Sequence, residues 1–147
     1  MLTIRPPQAT DRAAWDKLYQ GYADFYQVLQ TGDMRERVWC WLLDPAHECQ
    51  CLMAFEASGQ AIGLAHFRAF ARPLSASTGG FLDDLFVDPQ ARGSQAGTQL
   101  IAAVKAIAEQ NHWSVLRWIT ADNNYRARCA YDRVATRTPW ITYDIKL

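Results

Sequence analysis

No hydrophobic run in this chain approaches the ~20 residues that a helical membrane span needs. The opening residues, MLTIRPPQATDR, lack the apolar core of a secretory signal, so the expected location is the cytoplasm and no membrane partner is expected. An excess of charge is also missing. Fifteen Lys and Arg balance fifteen Asp and Glu, and no basic run stands out, which leaves no field to draw in nucleic acid. The four cysteines, Cys40, Cys49, Cys51 and Cys129, have no disulfide-framework spacing. Reduced thiols fit a chain without an export signal. His47, Cys49 and Cys51 alternate and would share one side of a strand, but a fourth ligand is missing. They read as small strand residues, and no metal is expected.

What is present is a core. Half of the 147 residues are hydrophobic, with six each of Trp, Tyr and Phe. That suffices for one domain spanning residues 1–147 that buries roughly two-thirds of its unfolded surface.

Pattern reading gives the order β-α-α-β-β-β-α-β-α-β. A short strand over Leu2 to Arg5 ends at Pro6-Pro7. Thr10 or Asp11 caps a helix in which Trp15, Leu18, Tyr19, Tyr22, Tyr26 and Leu29 fall at helical spacing. Gly32 interrupts, and a second helix runs from Asp33 to Leu43. Gln50 to Ala57 and Gln60 to Ala71 form a hairpin around Ser58-Gly59. Arg72 to Gly80 reads as a flexible surface loop. A strand over Gly80 to Val87 is followed by a helix from Gln95 to Asn111, a strand over Val115 to Thr120, a helix from Asn123 to about Ala135, and a last strand over Pro139 to Ile145. Meanders combined with strand–helix–strand crossovers imply a mixed sheet with helices on both faces.

Three motifs carry chemistry. The turn Arg92-Gly93-Ser94-Gln95-Ala96-Gly97 lies between a strand and a helix. Free N–H groups and the dipole at such a helix start favour an anion, and glycines admit phosphates close to the backbone. Asp83 and Asp84 are adjacent, so on a regular strand they point to opposite faces. A carboxylate beside an amine can attract the ammonium and accept its proton. Asn124 and Tyr131 are two helical turns apart and share a face. A phenol of pKa about 10 is suited to protonating a thiolate leaving group.

Together these residues resemble the GNAT superfamily of acetyl-CoA-dependent N-acetyltransferases. Arg92 and Gly97 match the first and last positions of its pyrophosphate loop, Gln/Arg-x-x-Gly-x-Gly/Ala; Gln95 stands where the family usually has Gly. LDDLFV is similar to the LEDLFV strand of enzymes acting on polyamines and related small amines, and Asn124-x-x-Ala127-x-x-x-Tyr131 matches the second signature. The resemblance covers nearly the whole chain and implies an α/β fold with a mostly antiparallel central sheet.

The resemblance also implies acetyl-CoA as cofactor, CoA as product, and direct attack by a small-molecule primary amine in a ternary complex. Leu85, Phe86, Val87, Gly93, Ser94, Gln95, Ala96, Asn124, Ala127 and Tyr131, with Arg92 and Gly97, become the expected cofactor residues. Tyr131, Asp83 and Asp84 become the expected catalytic ones. Tyr22, Asp24, Phe25 and Tyr26 lie in the segment that often lines the acceptor cleft, and Asp83 is expected to bind the acceptor with them; aromatic faces and a carboxylate suit a cationic amine. Members of the subgroup are commonly homodimers. Two other readings stay open at this level: an acyl-CoA-binding sensor with impaired turnover, suggested by Gln95, and an acetyltransferase of protein tails.

Overall fold

A computed structural model of the chain describes residues 1–91 and 93–147. The strands are β1 (Thr3–Arg5), β2 (Gln50–Phe55), β3 (Ala61–Arg72), β4 (Ser77–Val87) and β5 (Leu116–Arg117). The helices are α1 (Arg12–Phe25), α2 (Gly32–Leu43), α3 (Ala96–Gln110) and α4 (Tyr125–Tyr131). The strands lie side by side in chain order, antiparallel from β1 through β4, with β5 parallel to β4.

Both faces of this sheet are covered, which explains why β2 and β3 read as nearly continuous apolar runs. Cys51, Met53, Phe55 and Leu64 pack under Trp15, Leu18 and Trp39 of α1 and α2. On the other face Leu52, Ala54, Ile62, Ala65, Phe67 and Leu82 meet Leu100, Ile101 and Val104 of α3. Trp15 is fully buried, its ring 5.1 Å from that of Trp39. Burial of a side chain of this size contributes on the order of 2–3 kcal/mol, so the two rings fasten α1 and α2 to the sheet.

The helix ends have local causes. Thr31 caps α2 by accepting a hydrogen bond from Met34 N at 3.2 Å. Asp11, expected as a cap, instead binds the Arg5 guanidinium at 2.7 and 3.2 Å and accepts from Gln8 N at 2.7 Å. Since α1 stops at Phe25, its buried stripe also stops early, and Leu29 is exposed.

The segment expected as a loop over Arg72 to Gly80 is a tight hairpin. A single 3-10 turn at Pro73–Ser75 joins β3 to β4. Its small polar residues are ordering elements: Ser77 Oγ lies 2.6 Å from Ser75 Oγ and 2.8 Å from Ser114 Oγ, and Arg72 donates to Ser114 Oγ at 2.7 Å. Gly80 serves close packing, because a Cβ there would overlap the Trp113 ring.

The C-terminal third is less regular than its pattern suggests. β5 has two residues and α4 seven. The strand expected over Pro139 to Ile145 does not form; every residue from 132 to 147 is exposed. A strand requires a ladder partner, and this segment has none within the described residues.

Candidate functional site

The end of β4 and the start of α3 build one side of a cleft of about 290 Å³. Beyond Phe81, paired with Arg117, no strand adjoins β4 on the β5 side among the described residues. Leu85, Phe86 and Val87 therefore line the cleft along an open strand edge. The turn that follows carries Gly93 at φ +90° and Gln95 at φ 63°. Both are left-handed conformations, comfortable for glycine and costly for glutamine. This twist delivers the N-terminus of α3 to the cleft. Ser94 Oγ accepts a weak hydrogen bond from Ala96 N at 3.4 Å. The amides of Gly97 and Thr98 belong to the first turn, which has no intrahelical acceptors. They line the cleft together with Gly93, Ser94, Gln95 and Ala96. With the positive end of a 15-residue helix behind them, these amides favour an anion. Arg92 lies outside the described residues.

The opposite wall comes from α4. Asn124 is its N-cap, the side-chain oxygen accepting from Ala127 N at 3.5 Å. That assignment leaves the side-chain NH₂ to donate elsewhere. Tyr131 closes the helix with its ring edge-on to Trp118 at 5.4 Å. Asn124, Ala127 and Tyr131 all line the cleft, as the shared helical face predicts. Burial, with a smaller contribution from Tyr26, raises the Tyr131 pKa above the ordinary phenol value. The phenol thus keeps its proton at neutral pH. These donors, the bare glycine backbone and the open strand edge fit a nucleotide thioester with a pyrophosphate and an extended arm.

A second cleft, of about 370 Å³, lies on the α1/α2 face of the sheet and contains both Asp83 and Asp84. Here the structure corrects the expected geometry. In the β3–β4 ladder His66 pairs with Asp84 and Phe67 with Leu82, leaving Asp83 as the extra residue of a β-bulge. The bulge resets the alternation, so Asp83 and Asp84 line the same cleft instead of facing apart.

Their environments differ. Asp84 Oδ2 accepts a hydrogen bond from Tyr19 Oη and lies within hydrogen-bonding distance of His66 Nδ1, both at 2.8 Å. Burial alone would raise the Asp84 pKa, but the hydrogen bond to and electrostatic interaction with His66, then hydrogen bonds from Tyr19 and Tyr22, outweigh it and hold the carboxyl below its ordinary range. Asp83 goes the other way. Burial is the largest effect, opposed by Arg68 and reinforced by the charge of Asp84, and its pKa is raised. Around them stand Val38, Trp41, His47, Glu48, Cys49 and Arg68. The Trp41 and His47 rings stack at 4.8 Å, 5° from parallel. Burial, then the charges of Asp83, Asp84 and Glu48, push the Cys49 thiol up to about 11, which makes it an unreactive wall residue.

The residues expected at the acceptor are divided. Tyr22, Phe25 and Tyr26 line the first cleft, beside Phe86. Asp24 is exposed, accepts from Gln20 Nε2 at 2.8 Å and lines neither cleft. Sequence reasoning did not assign Tyr19, Trp41, His47, Cys49, His66 or Arg68 to a site, yet the structure gathers them with the acids. The alternation of His47 and Cys49 is the one local signal the sequence offers; the others are brought in by the register of β3 and the packing of α1 and α2. Among the described residues no group of three or more His, Cys, Asp or Glu is arranged to hold a metal, and no helix is long and apolar enough to cross a membrane.

A model of the Acetyltransferase (GNAT) family matches residues 15–135. The chain belongs to the GNAT family. It is 26% identical over 143 residues to the D-amino-acid N-acetyltransferase HPA3 of Saccharomyces cerevisiae, covering 97% of this chain and 89% of that protein. It is 32% identical over 133 residues to the uncharacterized N-acetyltransferase YhfO of Bacillus subtilis, covering 90% of this chain and 87% of that protein. Among solved structures, the aminoglycoside N-acetyltransferase AAC(6')-Iy in complex with CoA shares the fold with a TM-score of 0.84 at 21% identity, over 99% of this chain and 95% of that one. This GNAT protein is an acetyl-CoA-dependent N-acetyltransferase, and its first cleft fits that cofactor.

Proposed function

We propose that this GNAT enzyme acetylates the primary amine of a small cationic molecule that docks in the acidic cleft, by direct attack within a ternary complex. The observation that carries the reading is the adjacency, along β4, of a helix-start anion cradle and a cleft holding three carboxylates. Acetyl-CoA supplies an activated thioester. Gly93, Ser94, Gln95, Ala96 and Gly97 hold its pyrophosphate through backbone N–H groups, with Arg92 assigned to the same set by its place in the turn. Leu85, Phe86 and Val87 offer backbone groups to the extended arm, and Asn124 and Ala127 complete the wall.

The acceptor side follows from charge. Glu48, Asp83 and Asp84 face one cation, Arg68, in the second cleft, which favours a cationic ligand. An alkylamine is protonated at neutral pH and must lose that proton before it attacks. Asp84, held ionised, attracts the ammonium. Asp83, with the raised pKa, is the stronger base of the pair and takes the proton, directly or through water. Tyr131 Oη holds the proton that the departing sulfur requires. Tyr22, Phe25 and Tyr26, which line the first cleft beside Phe86, are assigned to the acceptor's approach to the thioester. The D-amino-acid acetyltransferase among the relatives supports a small amine as acceptor.

We also propose that two copies associate through the C-terminal segment. Ile141, Tyr143, Ile145 and Leu147 alternate with polar residues and are all exposed. This is the pattern of a strand with one apolar face, and a second copy offers the sheet edge that the chain itself does not fill.

The test of the acetyl-transfer reading is calorimetry with acetyl-CoA, followed by a thiol-release assay over alkylamines, diamines, amino acids and a peptide with a free N-terminus. One-to-one micromolar binding and saturable release with a small cationic amine support it. Turnover confined to the peptide would overturn the small-molecule assignment, and no cofactor binding up to millimolar concentration would overturn the cradle.

A further inference from the structure

His66 is the one buried polar residue of the described core, 1% exposed, and its two ring nitrogens face two partners. Trp15 Nε1 lies 3.0 Å from His66 Nε2, and Asp84 Oδ2 lies 2.8 Å from His66 Nδ1. An indole N–H only donates. His66 Nε2 must therefore present its lone pair to Trp15, and the single ring proton of the neutral imidazole falls on Nδ1, where it donates to Asp84. Trp15 is itself fully buried, packed with Leu18, Trp39, Met53 and Leu64.

We infer that Trp15 locks His66 in its Nδ1–H tautomer, making His66 a positioning residue that fixes Asp84 for the acceptor amine. The inference rests on the acceptor reading of the second cleft. The other tautomer would set the imidazole lone pair against a carboxylate and two N–H groups against each other, losing both hydrogen bonds inside the core. An unpaired buried group of this kind is costly. Since the Tyr19 hydroxyl donates to the same oxygen at 2.8 Å, two donors converge on Oδ2 and set the carboxylate plane. The β-bulge beside His66 holds Asp84 opposite the imidazole, and Asp83 is left outside this chain of hydrogen bonds, paired with Arg68 at the cleft rim. One acid is thereby fixed as an anion and the other left able to move a proton.

Two measurements test this. The first is ¹⁵N NMR of histidine-labelled protein at neutral pH; with three histidines in the chain, loss of a signal in His66→Asn assigns it. A proton on Nδ1 with a bare Nε2 is expected. A proton on Nε2, or on both nitrogens, overturns the lock. The second compares His66→Asn with His66→Gln. The Asn amide sits where Nδ1 was and keeps the donor to Asp84, whereas the Gln amide reaches Nε2 and keeps the acceptor for Trp15. Expected is a fall of about tenfold or more in kcat/KM for the amine in His66→Gln, a fall of under about threefold in His66→Asn, and an unchanged KM for acetyl-CoA in both. Equal losses in the two variants, tracking their thermal stability, would reduce His66 to a core residue. Binding of 1,4-diaminobutane, read by calorimetry in the same three proteins, follows the same order if the positioning role holds. If wild type neither binds nor acetylates any amine, the acceptor reading fails and the positioning role with it, while the NMR result stands on its own.

Discussion

The Arg68 Nε group contacts both carboxylate oxygens of Asp83, at 3.3 and 3.1 Å, so the acid with the raised pKa is also the one tethered to a cation. Arg68 lowers the Asp83 pKa against the effect of burial. Removing the guanidinium lets Asp83 keep its proton to higher pH, and its basic form is then lost sooner as pH falls. Arg68→Gln should therefore move the acid limb of kcat/KM for the amine toward higher pH. A limb that stays in place would assign it to another group. The pair is partly exposed, and its contribution to stability is small.

Tyr131→Phe removes the phenol proton and keeps the ring on Trp118 and the cleft wall. Turnover should fall by about 10²-fold or more, with the calorimetric Kd for acetyl-CoA changing by less than about threefold. Unchanged turnover would mean that the sulfur takes its proton from another donor.

Gln95→Gly addresses the left-handed residue at the start of α3. A non-glycine residue there costs roughly 1–2 kcal/mol, and glycine gives back roughly 0.5–1 through unfolded-chain entropy. The variant should be more stable by up to about 1 kcal/mol in denaturant unfolding. Because the backbone already has the conformation the cradle needs, acetyl-CoA affinity should change little. A large gain in affinity would show that the glutamine side chain obstructs the pyrophosphate.

Truncation before Pro139 removes Trp140, Ile141, Tyr143 and Ile145, none of which is buried. The shortened chain should be monomeric by light scattering and should keep its far-ultraviolet circular dichroism, and the full chain should be dimeric. A monomeric full chain would remove the proposed association.

The sequence disclosed the fold through its periodicities and, through local motifs, many of the residues that line the first cleft. Asn124 and Tyr131 line one cleft because a seven-residue spacing on a helix fixes their faces in advance. What was hidden depends on long-range register. That Asp83 and Asp84 share a side follows from a bulge opposite His66 and Phe67, and nothing in LDDLFV announces it. Trp41, His47 and Cys49 come from the end of α2 and the connection to β2, and meet β4 only when the sheet is assembled. The hairpin at Pro73–Ser75 reads as a flexible loop because serines and glycines serve mobile and tightly bonded turns alike. The unformed last strand has the opposite cause: its alternation is clear, but alternation specifies a face and not a partner.

Among the described residues the two clefts share no lining residue; Tyr19 and Asp84 line one, and their neighbours Tyr22 on α1 and Leu85 on β4 line the other. On the proposed assignment neither substrate has to pass through the other's binding site. The order of addition is then unconstrained by access, and initial-velocity plots with each substrate varied should intersect. Each product should compete only with the substrate whose cleft it leaves: CoA with acetyl-CoA, and the acetylated amine with the free amine.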